Sequence, residues 1–239
     1  MRREHGVIVP EDITNEFSPL LIELDTVTTN VETFLARLGV VDGWKTRPID
    51  LKVFLSDEVQ TSRACVELIK EHRGVRVFIS PLDGSVIKAA ATREKEVLIR
   101  KEDHAWLLAQ AVFPLDKVPH LIRVEIPDSA SSPLLALEMP YYGIPLKYWP
   151  TLTGIPIPPE ALDSFKVKMV RLVLEQGLVP TDMNRGNILL RMKDGQLELV
   201  PIDWENSYTI TSKPRSERGS EASFVEGITR VALAPHYPK

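Results

Sequence analysis

The sequence contains a single cysteine, Cys65, among 239 residues. One thiol cannot close an intramolecular disulfide, so nothing here points to a fold stapled together in an oxidising compartment. No apolar run approaches the ~18 residues that mark a membrane-spanning helix. The charged start Met1-Arg2-Arg3-Glu4-His5 leads into no apolar signal-peptide core. An excess of positive charge is missing too: 29 Lys and Arg stand against 33 Asp and Glu, a net charge of −4. That balance argues against a nucleic-acid binder, which carries a basic patch or stripe. Internal repeats, low-complexity tracts and long runs of like charge are absent as well. The expectation is a soluble globular chain.

Hydrophobic residues make up 44% of the chain, enough for an ordinary core. Val31, Phe34, Leu35 and Leu38 follow helical spacing, and Gly39 closes that run. Residues 49–55 alternate as a strand. Residues 57–72 read as an amphipathic helix holding Cys65 as a buried, inert thiol. Val75-Arg76-Val77-Phe78-Ile79 and Ser85-Val86-Ile87-Lys88-Ala89-Ala90 flank Pro81-Leu82-Asp83-Gly84, a hairpin signal. Residues 93–112, free of Pro and Gly, predict a helix with Trp106, Leu107 and Val112 in the core. Two further strands are expected at 121–126 and 133–139. Residues 140–159 are rich in proline and form a connector. Pro158-Pro159-Glu160 opens a helix that stops at Gly177. Near the end, Lys213, Arg215 and Arg218 are interrupted by Glu217 and Glu221 and read as a solvated loop or fraying end.

The most informative segment runs from Gly177 to Glu205. Asp182 lies five positions before Asn187, and the apolar Ile188-Leu189-Leu190 follows. A turn at Lys193-Asp194-Gly195 leads to Leu197-Glu198-Leu199-Val200-Pro201-Ile202, which ends in Asp203-Trp204-Glu205. Phosphoryl transfer makes that arrangement sensible, because its loose transition state asks the protein mainly to position reactants and neutralise charge. Asp182 is placed to face an attacking hydroxyl. Magnesium takes oxygen ligands and one or two carboxylates, and Asn187 and Asp203 offer an amide oxygen and a carboxylate. The hairpin would fold Asp203 back beside Asn187.

Asp182-x-x-x-x-Asn187 with Ile202-Asp203-Trp204 resembles the catalytic loop and metal-binding motif of the protein-kinase-like superfamily. The resemblance implies that Asp182 is the catalytic aspartate and that Asn187 and Asp203 bind magnesium. It extends upstream over roughly residues 75–210. Val86-Ile87-Lys88 looks like the strand whose Lys grips the nucleotide phosphates. Glu102 looks like its helix partner, with Glu94 and Glu96 as rivals. Leu137-Glu138-Met139-Pro140, followed by Gly143-Ile144-Pro145-Leu146, looks like the inter-lobe hinge whose backbone binds adenine. Within the superfamily the chain is most similar to the minimal effector kinases of the OspG and NleH type, delivered by bacterial type III secretion. It shares the Gly-x-Pro-Leu, a short connector, the Asp-x-Asn-x-Gly-Asn loop and little chain beyond Asp203. Several features depart from the family pattern: no His precedes the loop, Pro180 stands two before Asp182, and no Gly-x-Gly-x-x-Gly precedes Lys88.

The resemblance implies an α+β fold of two lobes, an antiparallel-sheet first lobe and a reduced helical second lobe, with ATP and Mg2+ between them. The expected division is residues 1–74 as an N-terminal extension and start of the first lobe, 75–139 as the rest of that lobe, and 140–239 as hinge and second lobe. The expected activity is transfer of the γ-phosphate to a protein Ser or Thr, in the cytoplasm or in a host cell, with a host regulatory partner. Two alternatives stay open. One is a small-molecule phosphotransferase of the aminoglycoside or choline type, and the other is a catalytically silent pseudokinase that binds a partner.

Overall fold

The computed structural model describes residues 45–56, 59–69, 74–115, 117–130, 132–140, 143–149, 156–193 and 196–234. The helix expected at Val31–Leu38 lies outside them. The described chain is a mixed α+β structure with antiparallel sheets and few helices. Its described residues divide into two compact units, one within 45–107 and 115–140, the other within 108–114 and 143–234.

In the first unit, β1 (Lys45–Ser56), β2 (Val59–Ile69), β3 (Val75–Ile79), β4 (Ser85–Ala90), β6 (Leu134–Pro140) and β5 (His120–Glu125) close into an antiparallel barrel in that order. β5 returns to β1 through Lys52↔Glu125 and Val53↔Val124. Side chains of opposite facing alternate along each strand, and Leu51, Val53, Phe78, Ile87, Ala89 and Ala136 turn into the shared core. The β3–β4 hairpin forms as expected, with Gly84 at a positive φ of 67° and its N–H bonded to Ser80 O at 2.9 Å. Gly has no Cβ to oppose that backbone conformation.

Of the helix expected over 57–72, the described residues 59–69 are a strand instead: β2 pairs with β1 from Lys45↔Ile69 to Ser56↔Val59. The spacing of Cys65, Leu68 and Ile69 imitates a helical stripe. The decisive residue is Glu67, which shares the buried side with Cys65. A carboxylate at an inward position hides the two-residue period. Burial pushes the Glu67 acid up, yet the Arg76 and Arg47 hydrogen bonds, both at 2.7 Å, outweigh it and hold the group below its usual value. Cys65 is buried as expected, and burial pushes its thiol up to about 11. A thiol so seldom ionised is a packing residue, not a nucleophile.

A single 3-10 turn at Arg93–Lys95 opens α1 (Glu96–Ala109). Its buried stripe is Ile99, Glu102, Ala105, Trp106 and Ala109, the i, i+3, i+4 spacing of a helix face. Leu107, expected in the core, falls off that stripe and is 58% exposed.

In the second unit, β7 (Ile144–Pro145), β9 (Ile188–Lys193) and β10 (Gln196–Pro201) form a three-stranded sheet in the order β10-β9-β7. β8 (Leu178–Val179) pairs with β11 (Tyr208–Thr209). Gly143 stands where β7 comes in against β9. Its φ is 143°, and a Cβ there would lie 2.1 Å from Leu190 O, so only glycine fits. α2 (Pro159–Arg171) continues into one π-helical turn, Leu172–Gln176, and ends at left-handed Gly177, as the sequence predicts.

Arg215–Glu217 is an exposed 3-10 turn, as a solvated loop would be, but the segment is not a fraying end, because Gly219–Leu233 is a helix, α3, with Val225 and Thr229 fully buried. Arg218, just before it, is 8% exposed and donates to Leu174 O (3.0 Å), Glu175 O (3.3 Å), Thr211 O (3.2 Å) and Lys213 O (2.8 Å). Carbonyls at the end of a helix have no intrahelical donor, and a cation there also meets the negative end of the helix dipole. Arg218 therefore ties the end of the π-helical turn to the start of α3. Arg218→Ala removes these four part-buried, charge-assisted hydrogen bonds and should lower the unfolding free energy by about 3 kcal/mol. Urea denaturation of the two chains measures the difference, and an unchanged midpoint would show the bonds to contribute nothing.

Candidate active site

The chemistry-bearing residues gather in two places, one in each unit. In the first unit, Lys88 sits on β4 with its side chain opposite to Ile87 and Ala89, hence outside the barrel core. α1 brings Glu102 to it, and Lys88 Nζ lies 2.5 Å from Glu102 Oε2. Glu102 is 1% exposed. A charge so buried needs a partner, since leaving it alone costs several kcal/mol. Of the rivals, Glu94 accepts from Thr92 Oγ1 at 3.0 Å, and Glu96 accepts from Leu135 N at 3.0 Å and from Arg123 Nη1 at 3.4 Å. The structure pairs Lys88 with Glu102.

The expected adenine-binding backbone, Glu138 to Pro140, forms the end of β6. β4 pairs with all of it, through Ile87↔Glu138, Val86↔Met139 and Ser85↔Pro140. The β5 register ends one step earlier, at His120↔Glu138. Among the described strands, Met139 and Pro140 are thus paired on one side only. The Glu138 carboxylate is buried and held by Arg63 Nη1, which also reaches Ser85 Oγ at 3.3 Å, so its side chain serves the barrel.

In the second unit, the Asp182–Asn187 loop is knitted by its own side chains. Asn184 Nδ2 donates to the Asp182 carboxylate at 3.0 Å, and Asn184 Oδ1 accepts from Gly186 N at 2.8 Å. Asn187 Nδ2 donates to Asp182 O at 2.9 Å. Asn187 O accepts from Ile202 N at 2.9 Å, which continues the β9–β10 ladder one step past Ile188↔Pro201. That bond brings Asn187 and Asp203 to the same end of the hairpin, as the sequence suggests. Thr181 Oγ1 donates to Asn206 O at 2.5 Å and pins the start of the loop to the turn after Asp203.

Asp203 has φ 65° and ψ 63°, and among the described residues it alone is left-handed without being glycine. Such a conformation costs about 1 kcal/mol or more for a residue with a Cβ and collects at functional sites. The donor set fits a hard cation. With its nitrogen engaged at Asp182 O, the Asn187 amide keeps its oxygen for a ligand, and Asp203 adds a carboxylate. Composition alone marks Thr181, beside Pro180, and nothing local marks these bonding roles of Thr181 or of Arg185, whose guanidinium bonds to Ala234 O. Neither residue belongs to a spacing that marks it.

No family model matches the chain, and no curated protein matches it. Among solved structures it is similar to WbdD, at 16% identity over 74% of this chain and 40% of that one, with a TM-score of 0.42. It is also similar to WbdD co-crystallised with a kinase inhibitor, at 14% identity over 66% of this chain and 35% of that one, with a TM-score of 0.37. The chain therefore spans less than half the length of the structures it resembles, and at these values the likeness fixes neither its fold nor its activity.

The left-handed backbone at Asp203 predicts an inverted preference. Glycine ordinarily weakens a structure relative to alanine by about 0.5–1 kcal/mol, whereas here Asp203→Gly should be more stable than Asp203→Ala by about 1 kcal/mol. Both variants lose the carboxylate, so thermal unfolding of the pair isolates the backbone strain. A more stable alanine variant would show that the strain is not there.

Proposed function

We propose that this chain is an ATP- and magnesium-dependent phosphotransferase of protein-kinase-like, two-lobed type. The observation that carries this reading is the Asp182–Asn187 loop, knitted by Asn184 and Asn187 and tied through Ile202 N to a left-handed Asp203. Asn187 and Asp203 would hold magnesium, which supplies positive charge to the phosphate oxygens when bound. Lys88, oriented by Glu102, would grip the phosphates. The one-sided backbone at Met139 would receive adenine, with Glu138 and Pro140 flanking it.

Asp182 would accept the proton of an acceptor hydroxyl as that oxygen bonds the γ-phosphorus. The bond from the γ-phosphorus to the β–γ bridging oxygen breaks, and ADP leaves. The acceptor assigned is a protein Ser or Thr, and the setting a secreted effector with a host partner. Both of these finer assignments rest on the resemblance of the Asp182–Asn187 loop and of Gly143 to Leu146 to the minimal effector kinases. Among the described residues no helix is long and apolar enough to cross a membrane.

The test is incubation with γ-labelled ATP and magnesium, with and without cell lysate. Asp182→Ala should lower transfer by about 10²–10⁴-fold while nucleotide binding persists, and Asp203→Ala should lose both metal-dependent binding and transfer. Full activity in Asp182→Ala would sink the loop assignment. Label on small molecules alone would move the acceptor to the small-molecule class. Absence of nucleotide binding would leave the silent binding module.

A further inference from the structure

The mechanism makes no use of Arg185, although it lies inside the catalytic loop. An arginine there would ordinarily be read as a phosphate contact, because guanidinium groups match phosphate oxygens. Its geometry says otherwise. Arg185 Nη1 donates at 2.9 Å to Ala234 O, the carbonyl of the residue that caps α3. Ala234 ends the helix with an extended ψ of 136° and its carbonyl turned off the α3 axis, so it has no intrahelical donor and takes one from Arg185. The main chain of the same residue is held from the other side, since Arg185 O accepts from Lys147 N at 3.1 Å, just after β7. Burial pushes the guanidinium below its ordinary value, and no carboxylate contributes to that shift.

α3 is itself fixed, because it packs along α2 and its start is tied by Arg218 to the turn that ends α2. A continuous set of contacts therefore runs from α2 through α3 to the loop between Asp182 and Asn187, all within the second unit. We propose that Arg185 is a positioning residue that fixes this loop to the C-terminal end of α3, so that α3 sets where Asp182 and Asn187 stand. The inference deepens the phosphotransfer reading and rests on it for its effect on rate, but the clamp itself is a property of the fold. Loss of the bond leaves the loop held by its asparagine bonds and by Lys147 N alone, without its tie to α3. Asp182 then spends less time in line with an acceptor, while the ATP-gripping Lys88 is untouched.

The experiment compares the full chain with Arg185→Ala and Arg185→Lys. It reads kcat and KM for ATP, the thermal midpoint, and hydrogen exchange at the amides of Gly186 and Asn187. Expected for Arg185→Ala is a kcat lower by about tenfold to a hundredfold, the range for losing one charged hydrogen bond and displacing a reacting group. KM for ATP should stay within about twofold, since only a transition-state contribution is removed. The two amides should exchange faster, and Arg185→Lys, which keeps a cation and a donor, should recover part of both effects.

An unchanged kcat overturns the positioning role, and a raised KM with unchanged kcat assigns Arg185 to the phosphates instead. If Arg185→Ala does not fold, Arg185→Lys is held to the same kcat and exchange criteria. If the unmutated chain transfers no phosphate, the phosphotransfer reading fails, and exchange alone decides the clamp: faster exchange in the variant supports it and unchanged exchange refutes it.

Discussion

The candidate site in the second unit depends on the double engagement of Asn187. Its side-chain nitrogen closes the loop on Asp182 O, and its main-chain oxygen receives Ile202 N from the neighbouring strand. The first bond fixes the curvature between Asp182 and Asn187. The second fixes that curved loop against the strand that delivers Asp203. A neutral hydrogen bond contributes only about 0.5–1.5 kcal/mol net, so neither is a large term in stability. On the proposed reading their weight lies in geometry, because phosphoryl transfer depends on holding an acceptor, a phosphate and a cation in place, and a misplacement of about 1 Å can cost about 10²-fold in rate.

The surrounding structure holds features that make little sense as packing alone. Asp203 keeps a left-handed backbone where glycine would be easier. Lys88 and Glu102 bury an ion pair at 2.5 Å, although an apolar pair of similar volume is often as stable or more so. By contrast, the Arg47–Glu67–Arg76 bridge and the fourfold bonding of Arg218 have a structural account: the first pairs the buried Glu67 carboxylate, and the second satisfies the buried Arg218 guanidinium. Gly143 is likewise structural, since Leu190 O leaves no room for a side chain.

Much of this could be read from residues. The β3–β4 hairpin announced itself through Asp83-Gly84, and the end of α2 through Gly177, because those positions require a positive φ. The placing of Asn187 beside Asp203 followed from the hairpin after Ile188. Glu102 could have been separated from Glu94 and Glu96 by periodicity, since it alone falls on the stripe of Ile99, Ala105 and Trp106. What failed did so where a charged side chain was buried. Glu67 broke the alternation of β2 and made a strand resemble a helix, and Arg218, itself buried, was read with the exposed turn before it as part of a solvated loop or fraying end. Their partners, Arg47 and Arg76 in one case and carbonyls some forty residues away in the other, are set by the fold and by no local spacing.

Under the proposed function, Asn187 and Asp203 form a magnesium site serving ATP. Thermal unfolding with ATP, with and without magnesium, tests it most directly, because a ligand that binds only the folded state raises the midpoint by mass action. The midpoint should rise with ATP and magnesium together, and the rise should be lost when a chelator removes the metal. An identical midpoint in all conditions, at ATP concentrations well above those of ordinary kinase substrates, would contradict it.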